Sequence, residues 1–98
     1  MKIFRKPFGF EWDQGNKDKN FIRHRVTDEE SEEVFFDKNK KIFKDVAHSI
    51  QEERHILIGQ TKKQRLLFLV FSIRKNKIRV ISVRDLNKKE SNLYEKTN

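Results

Sequence analysis

The chain has 98 residues, 35% of them hydrophobic and 39% charged, so it can bury one modest core beneath a largely ionic surface. An excess of 23 Lys and Arg over 15 Asp and Glu gives a formal net charge of +8 and favours polyanionic partners, either nucleic acid or an acidic protein surface. The lack of cysteine excludes a disulfide framework, a thiolate nucleophile and a Cys-based zinc site, and the longest apolar run, Leu66 to Phe71, is too short to span a membrane.

The segment from Met1 to Phe10 scatters its apolar residues among Lys2, Arg5 and Lys6 and lacks the continuous stretch of a signal peptide, so a cytoplasmic protein is expected. No linker, repeat or break in composition divides residues 1–98, which read as a single domain. Phe8 to Trp12 read as a short opening strand. Asp13 can then cap a helix over about Gln14 to Arg25, weakened by Gly15, on which Lys17, Phe21 and His24 share a face beside Asn20. Thr27-Asp28-Glu29-Glu30 has the spacing of a capping box, in which hydroxyl and carboxylate satisfy two amides at a helix start. A second helix follows, with carboxylates in its first turns and Val34, Phe35 and Phe36 at its end. Its acidic start is most simply a solvated, dipole-favoured helix terminus; facing a basic partner segment, or repelling RNA from that surface, are the alternatives.

From residue 40 short apolar and β-branched runs predict four strands: Lys41 to Val46, Arg54 to Gly59, Arg65 to Arg74 and Lys77 to Arg84. Lys75-Asn76 leaves room only for a tight hairpin between the last two. If Arg74 pairs with Lys77, Leu67, Leu69, Phe71, Ile73, Ile78 and Val80 share an apolar face, while Ser72, Arg74, Lys77 and Arg79 gather as a cationic patch on the other. Asn87-Lys88-Lys89-Glu90 repeats the capping pattern and opens a short C-terminal helix. Phe35, Phe36, Phe43, Phe68 and Phe71 are expected in the core, whereas Trp12 and Tyr94 are left open between the core and a partner-facing surface. His48 and His55 have no metal-site spacing and read as surface residues, and neither metal nor cofactor is expected.

Several of these residues, taken in order, resemble a known family. Phe10-Glu11-Trp12-Asp13, Asn20, Arg23-His24, Val26 and Glu32-Glu33-Val34-Phe35-Phe36-Asp37 are similar to the N-terminal half of the BrnT toxins, whose pattern runs FEWD, Asn, Lys-His-Gly-Val and an acidic helix ending in VFxD. His48, Glu53-Arg54, Ile58-Gly59, Arg65-Leu66-Leu67, Ile78-Arg79-Val80-Ile81-Ser82, Arg84 and the Glu90 to Tyr94 tail extend the resemblance from about Phe8 to Glu95. Three positions depart from it: the family's Lys before the His is Arg23, the Gly after it is Arg25, and a small residue before the last strand Arg is Val83. The resemblance implies an α+β fold like that of the RelE toxins, a small antiparallel sheet with helices packed on one face. It also implies RNA cleavage, a ribbon-helix-helix antitoxin (BrnA-like) that holds the toxin in an inactive hetero-oligomer, and operator DNA contacted through that antitoxin.

An RNA-cleaving site needs groups that stabilise a crowded, highly charged phosphorane and a group that moves protons near neutral pH. Guanidinium forks suit the first task and imidazole the second. The expected catalytic set is therefore His24 for acid or base work with Arg23, Arg79 and Arg84, and Arg65, Arg74 and Lys77 as substrate-binding residues. Arg23 retains the charge of the family's Lys but cannot shuttle protons. A plainer role exists for each: His24 as an exposed helix-end residue, and Arg79 and Arg84 as solvated strand residues or partners of Asp85 and Glu90. The competing functions are a non-catalytic nucleic-acid-binding module and a co-repressor subunit acting through its DNA-binding partner.

Overall fold

The computed structural model describes residues 9–46 and 52–96, so the expectations for Phe8 and His48 lie outside the described residues. Five strands form one mixed sheet. They are β1 (Gly9–Phe10), β2 (Lys41–Lys44), β3 (His55–Gln60), β4 (Leu66–Arg74) and β5 (Lys77–Asp85), in the spatial order β1-β5-β4-β3-β2. Strands β2 to β5 are antiparallel neighbours, whereas β1 pairs in parallel with the start of β5, so the expected antiparallel sheet is mixed at that edge. Three helices complete the α+β fold: α1 (Lys19–His24), α2 (Asp28–Glu33), which tightens into a 3-10 turn at Val34–Phe36, and α3 (Lys88–Glu95).

Local chemistry explains why the elements begin where they do. At Thr27 the hydroxyl accepts from the Glu30 amide at 3.0 Å and the Glu30 carboxylate accepts from the Thr27 amide at 2.9 Å, closing the capping box that opens α2. Asn87 and Glu90 do the same for α3. Lys75 and Asn76 take φ of 50° and 66°, the left-handed pair of a two-residue turn whose twist matches the flanking strands, and Arg74 does pair with Lys77.

The first helix is shorter than the sequence suggests and starts at Lys19. The Asp13 carboxylate instead accepts from the Gly15 amide at 2.8 Å, while the Asp13 carbonyl accepts from the Asn16 and Lys17 amides, making a turn. Asn16 is drawn inward, donating to the carbonyls of Glu11 and Val80 at 2.9 and 3.0 Å. Asn20 accepts from the Val83 amide at 3.0 Å, and Lys19 donates to the Ile81 carbonyl. This segment thereby satisfies the outer edge of β5 beyond the two residues that β1 pairs, a way of covering polar groups that would otherwise invite another strand. A tertiary demand thus overrides local helix propensity.

One face of the sheet carries the core. Leu57, Leu67, Leu69, Phe71, Ile78, Val80 and Val83 are buried there against Val26, Val34 and Phe35 from the helical layer, and Ile73 packs against the cluster. Phe35 meets Phe10 and Phe71 edge-on at ring separations of 5.2 and 5.1 Å. Gly59 permits this approach, since a Cβ there would stand 3.0 Å from the Val34 carbonyl oxygen and 3.1 Å from the Val34 Cβ. Three of the expected core aromatics lie elsewhere: Phe36 is 77% exposed, Phe43 is exposed, and Phe68 is half-buried on the opposite face because it alternates with Leu67 and Leu69. His55, expected at the surface, is buried beside Phe71, because its position on β3 has the same parity as Leu57.

The ladder between β4 and β5 contains a bulge. Val70 pairs with Ser82 and Phe71 with Val80, leaving Ile81 as the extra residue on β5. Arg79, opposite Ser72, and Arg84, opposite Phe68, consequently share a face although five positions separate them. The third helix borders this same face: its Leu93 and Lys89 line a groove together with Phe43, Ile56, Ile58 and Phe68. The helical layer over the core thus comprises α1 and α2, with α3 on the other side.

Candidate functional site

The seven expected site residues fall into two groups at opposite ends of β5, roughly 15 Å apart at the usual rise per strand residue. The group at the C-terminal end contains Arg84, Arg65 and the end of α1 with Arg23 and His24. Asp85 ties it together: its carboxylate accepts from Arg65 Nε at 2.7 Å and Nη2 at 3.1 Å, and its carbonyl accepts from Arg84 Nη1 at 3.1 Å. Arg65 also donates to the carbonyls of His24 and Arg25, at 3.2 and 2.8 Å, and to the Glu30 carboxylate. The exposed end of α1 is thereby fixed beside the last strand residues, with His24 and Arg23 both exposed.

Arg84 is the best-defined cation of this group. Its guanidinium lies over the Phe68 ring at 4.1 Å and forms a bidentate pair with Glu90, both bonds 2.8 Å. These contacts fix a planar fork on the sheet face before any ligand arrives. The Arg84 hydrogen bonds hold the Glu90 carboxyl below the usual carboxylate range, and Arg65 does the same to Asp85. Both guanidiniums are held still more firmly in the charged form by those partners.

At the other end of β5, Arg74, Lys77 and Arg79 cluster on the expected face, but this patch is not a bare cationic surface. Arg79 donates to Glu11 at 3.1 Å and to both oxygens of Asp13 at 2.8 and 3.1 Å, and it is largely covered, with 15% of its side chain exposed. Gly15 makes room for this pair, since a Cβ there would come within 2.8 Å of Arg79 Nη2. Arg74 pairs with Glu52 at 2.6 Å, and Ser72 is fully buried. Hydrogen bonding to the arginines lowers the Asp13 and Glu52 carboxyls.

The acidic helix start is likewise engaged within the chain. Glu32 accepts from the Trp12 indole at 2.7 Å, Glu33 from the Lys62 amide, and Asp28 from the Asp18 amide, with burial raising the Asp28 carboxyl. Trp12 is therefore turned inward, and so is Tyr94, whose hydroxyl donates to Asp37 at 2.6 Å; burial and that carboxylate push its ionisation upward. The sequence suggested Glu90 as an arginine partner. It gave no sign of Glu11, Asp13 or Glu52, because those carboxylates lie 68, 66 and 22 positions from their arginines.

Arg25 adds a backbone observation. It terminates α1 at φ 57°, with its amide turned back to Asn20 and Phe21, a left-handed geometry that glycine adopts at no steric cost. The glycine expected at this position from the family resemblance has a physical reason, and Arg25 bears the strain of replacing it.

Among the described residues no helix is long and apolar enough to cross a membrane, and no three His, Asp or Glu side chains gather to hold a metal ion. No curated protein matches the chain. The family described as the ribonuclease toxin, BrnT, of type II toxin-antitoxin systems matches it over residues 12–90, which takes in α1, α2, the four longer strands and the opening of α3. With more than three quarters of its length matched, the chain belongs to the BrnT family of type II toxin-antitoxin ribonuclease toxins.

Proposed function

We propose that this chain is a metal-independent endoribonuclease, of RelE-like fold, that blocks translation by cutting RNA in the cytoplasm and is neutralised by a ribbon-helix-helix antitoxin through which the complex contacts operator DNA. The observation that carries the reading is the gathering of Arg84, Arg65 and the His24 end of α1 at the C-terminal end of β5, where Arg65 bridges the Asp85 carboxylate and the His24 carbonyl, in a chain that belongs to a ribonuclease toxin family.

RNA supplies its own nucleophile. The ribose 2′-oxygen attacks phosphorus, its proton passes to a base, and the bond to the 5′-oxygen breaks as that oxygen takes up a proton, leaving a 2′,3′-cyclic phosphate and a 5′-hydroxyl. Arg84 and Arg65 supply guanidiniums that grip the charge building on the phosphorane once phosphate displaces Glu90 and Asp85 from them, with Arg23 adding positive charge. His24 is the side chain suited to the proton transfers. Arg79, Arg74 and Lys77, at the far end of β5, serve phosphates further along the strand.

The test is cleavage of end-labelled RNA by the purified chain, with and without a chelator. The expected result is chelator-resistant cutting, fragments ending in a 2′,3′-cyclic phosphate, and loss of the pH dependence in His24→Ala. Dependence on added divalent ions would refute the metal-independent route, and an unaltered pH profile in His24→Ala would remove its proton-transfer role. One observation favours a second reading: Arg65, Arg74, Arg79 and Arg84 all pair with carboxylates of their own chain, as expected of a silent co-repressor subunit whose cations serve structure. Growth arrest on expression, relieved by the antitoxin and lost in Arg84→Ala, separates the two.

A further inference from the structure

The face of the sheet opposite the core holds a groove of about 510 Å³ between α3 and the strands, walled by Phe43, Ile56, Ile58, Phe68 and Leu93. Phe43 and Leu93 are each 38% exposed at its rim and Ile58 is buried at its base, so the groove opens an apolar rim to solvent. A surface of this kind marks an interaction site more often than chance exposure. We infer that it is the docking surface of the antitoxin, filled by an amphipathic, acidic segment of that partner. The inference rests on the toxin-antitoxin reading for the partner's existence and on the groove itself for its location.

The charge around the groove selects the partner's chemistry. Lys89 and Lys96 line it, and Lys38 and Lys41 line an adjoining hollow that shares Lys96. Among the described residues lining the groove, Glu90 is the one carboxylate, and it is engaged by Arg84. Glu95 lines the adjoining hollow and offsets only part of this positive rim. An apolar floor with a lysine rim fits a helix or strand with aliphatic residues on one side and Asp or Glu along its borders. RNA would satisfy the rim but not the floor, because Ile56, Ile58 and Leu93 offer base edges no hydrogen bonds.

Position links docking to inhibition. Phe68 forms part of the groove wall and also underlies the Arg84 guanidinium, while Glu90 both lines the groove and holds that guanidinium. A segment seated here covers Arg84 and places its own carboxylates beside it. Antitoxin and RNA phosphate then compete for one fork, and neutralisation needs no change of fold.

The experiment measures the affinity of the cognate antitoxin for the wild-type chain, Leu93→Asp, Phe43→Asp and the double variant Lys89→Glu/Lys96→Glu, with thermal unfolding and RNA binding recorded for each. Burying a carboxylate in the groove weakens the antitoxin about tenfold or more, as at interface centres generally, and reversing the rim charges weakens it in a salt-dependent way. The lysine variant changes exposed positions only and decides the matter if either aspartate variant fails to fold. Unchanged antitoxin affinity across the folded variants overturns the proposal. So does a loss of RNA binding with antitoxin affinity intact, which would make the groove an RNA surface. A wild-type chain that binds antitoxin but cuts no RNA would sink the nuclease reading alone, since docking is judged by binding.

Discussion

The two faces of one sheet differ in almost every physical respect although the same strands build both. On the inner face Leu57, Leu67, Leu69, Phe71 and Val80 have no exposed surface, and the helical layer closes over them. On the outer face Phe43, Ile56 and Phe68 stay partly open and Arg79 and Arg84 lie at opposite ends of one strand, whereas Arg65 reaches toward the helical layer, where Arg23 and His24 end α1. The contrast separates a closed apolar core from a half-open face that carries Arg79 and Arg84. Alternation along each strand assigns neighbouring residues to separate tasks, so a change at one position can leave the other task untouched.

The sharpest way to break that comparison is a pair of adjacent truncations on β4. Leu69→Ala empties the closed face and is expected to cost about 2–5 kcal/mol in urea unfolding, whereas Val70→Ala, one residue along on the open face, is expected to cost under about 1.5 kcal/mol. Equal losses would mean that the outer face is also closed. Next comes Arg84→Ala, expected to reduce RNA cleavage by about 100-fold while the unfolding midpoint moves little; a folded variant with full activity would remove Arg84 from the site. Gly59→Ala forces a methyl against the Val34 backbone and is expected to destabilise by about 1–3 kcal/mol, again a closed-face effect. Arg25→Gly runs the other way. Relief of the left-handed backbone is expected to stabilise by up to about 1 kcal/mol, visible as a raised unfolding midpoint.

The smallest expected effect is electrostatic. Asp13, Glu52, Asp85 and Glu90 all have lowered carboxyl pKa values from their arginine partners. Their contribution is complete above the ordinary carboxylate range near pH 4 and disappears as the pH falls through the lowered folded-state values. Asp28, raised by burial, opposes this by costing less once protonated. Stability is therefore expected to drop modestly on titration from pH 5 toward 2, since exposed ion pairs are weak; a rise over that interval would contradict the assigned pairs.

How legible each part was in the sequence follows from how local its cause is. Both capping boxes and the Lys75-Asn76 hairpin were legible because three or four consecutive residues decide them. The α+β class and the inner face followed from periodicity, and the toxin family from an ordered set of short matches. The long first helix was misread because Asn16 and Asn20 answer to the unpaired edge of β5, more than 60 positions away. The separation of Arg79 from Arg84 was legible in the strand between them, but the ion pairs of Arg79 and Arg74 were not, since the carboxylates that engage them come from distant segments. Phe36, Phe43 and Phe68 were misassigned because hydrophobicity alone does not reveal which side of a strand or turn is roofed.

The extra residue at Ile81 sets the phase in which the rest of β5 is read. A ladder that kept all nine residues without the bulge would turn Arg84 toward the interior and Val83 toward water, whereas deleting Ile81 would close a regular ladder and leave both on their present faces. The phase of this strand, more than the identity of the residue at its bulge, therefore places Arg84, and a one-codon loss at Ile81 is the change in length that β5 is best able to absorb.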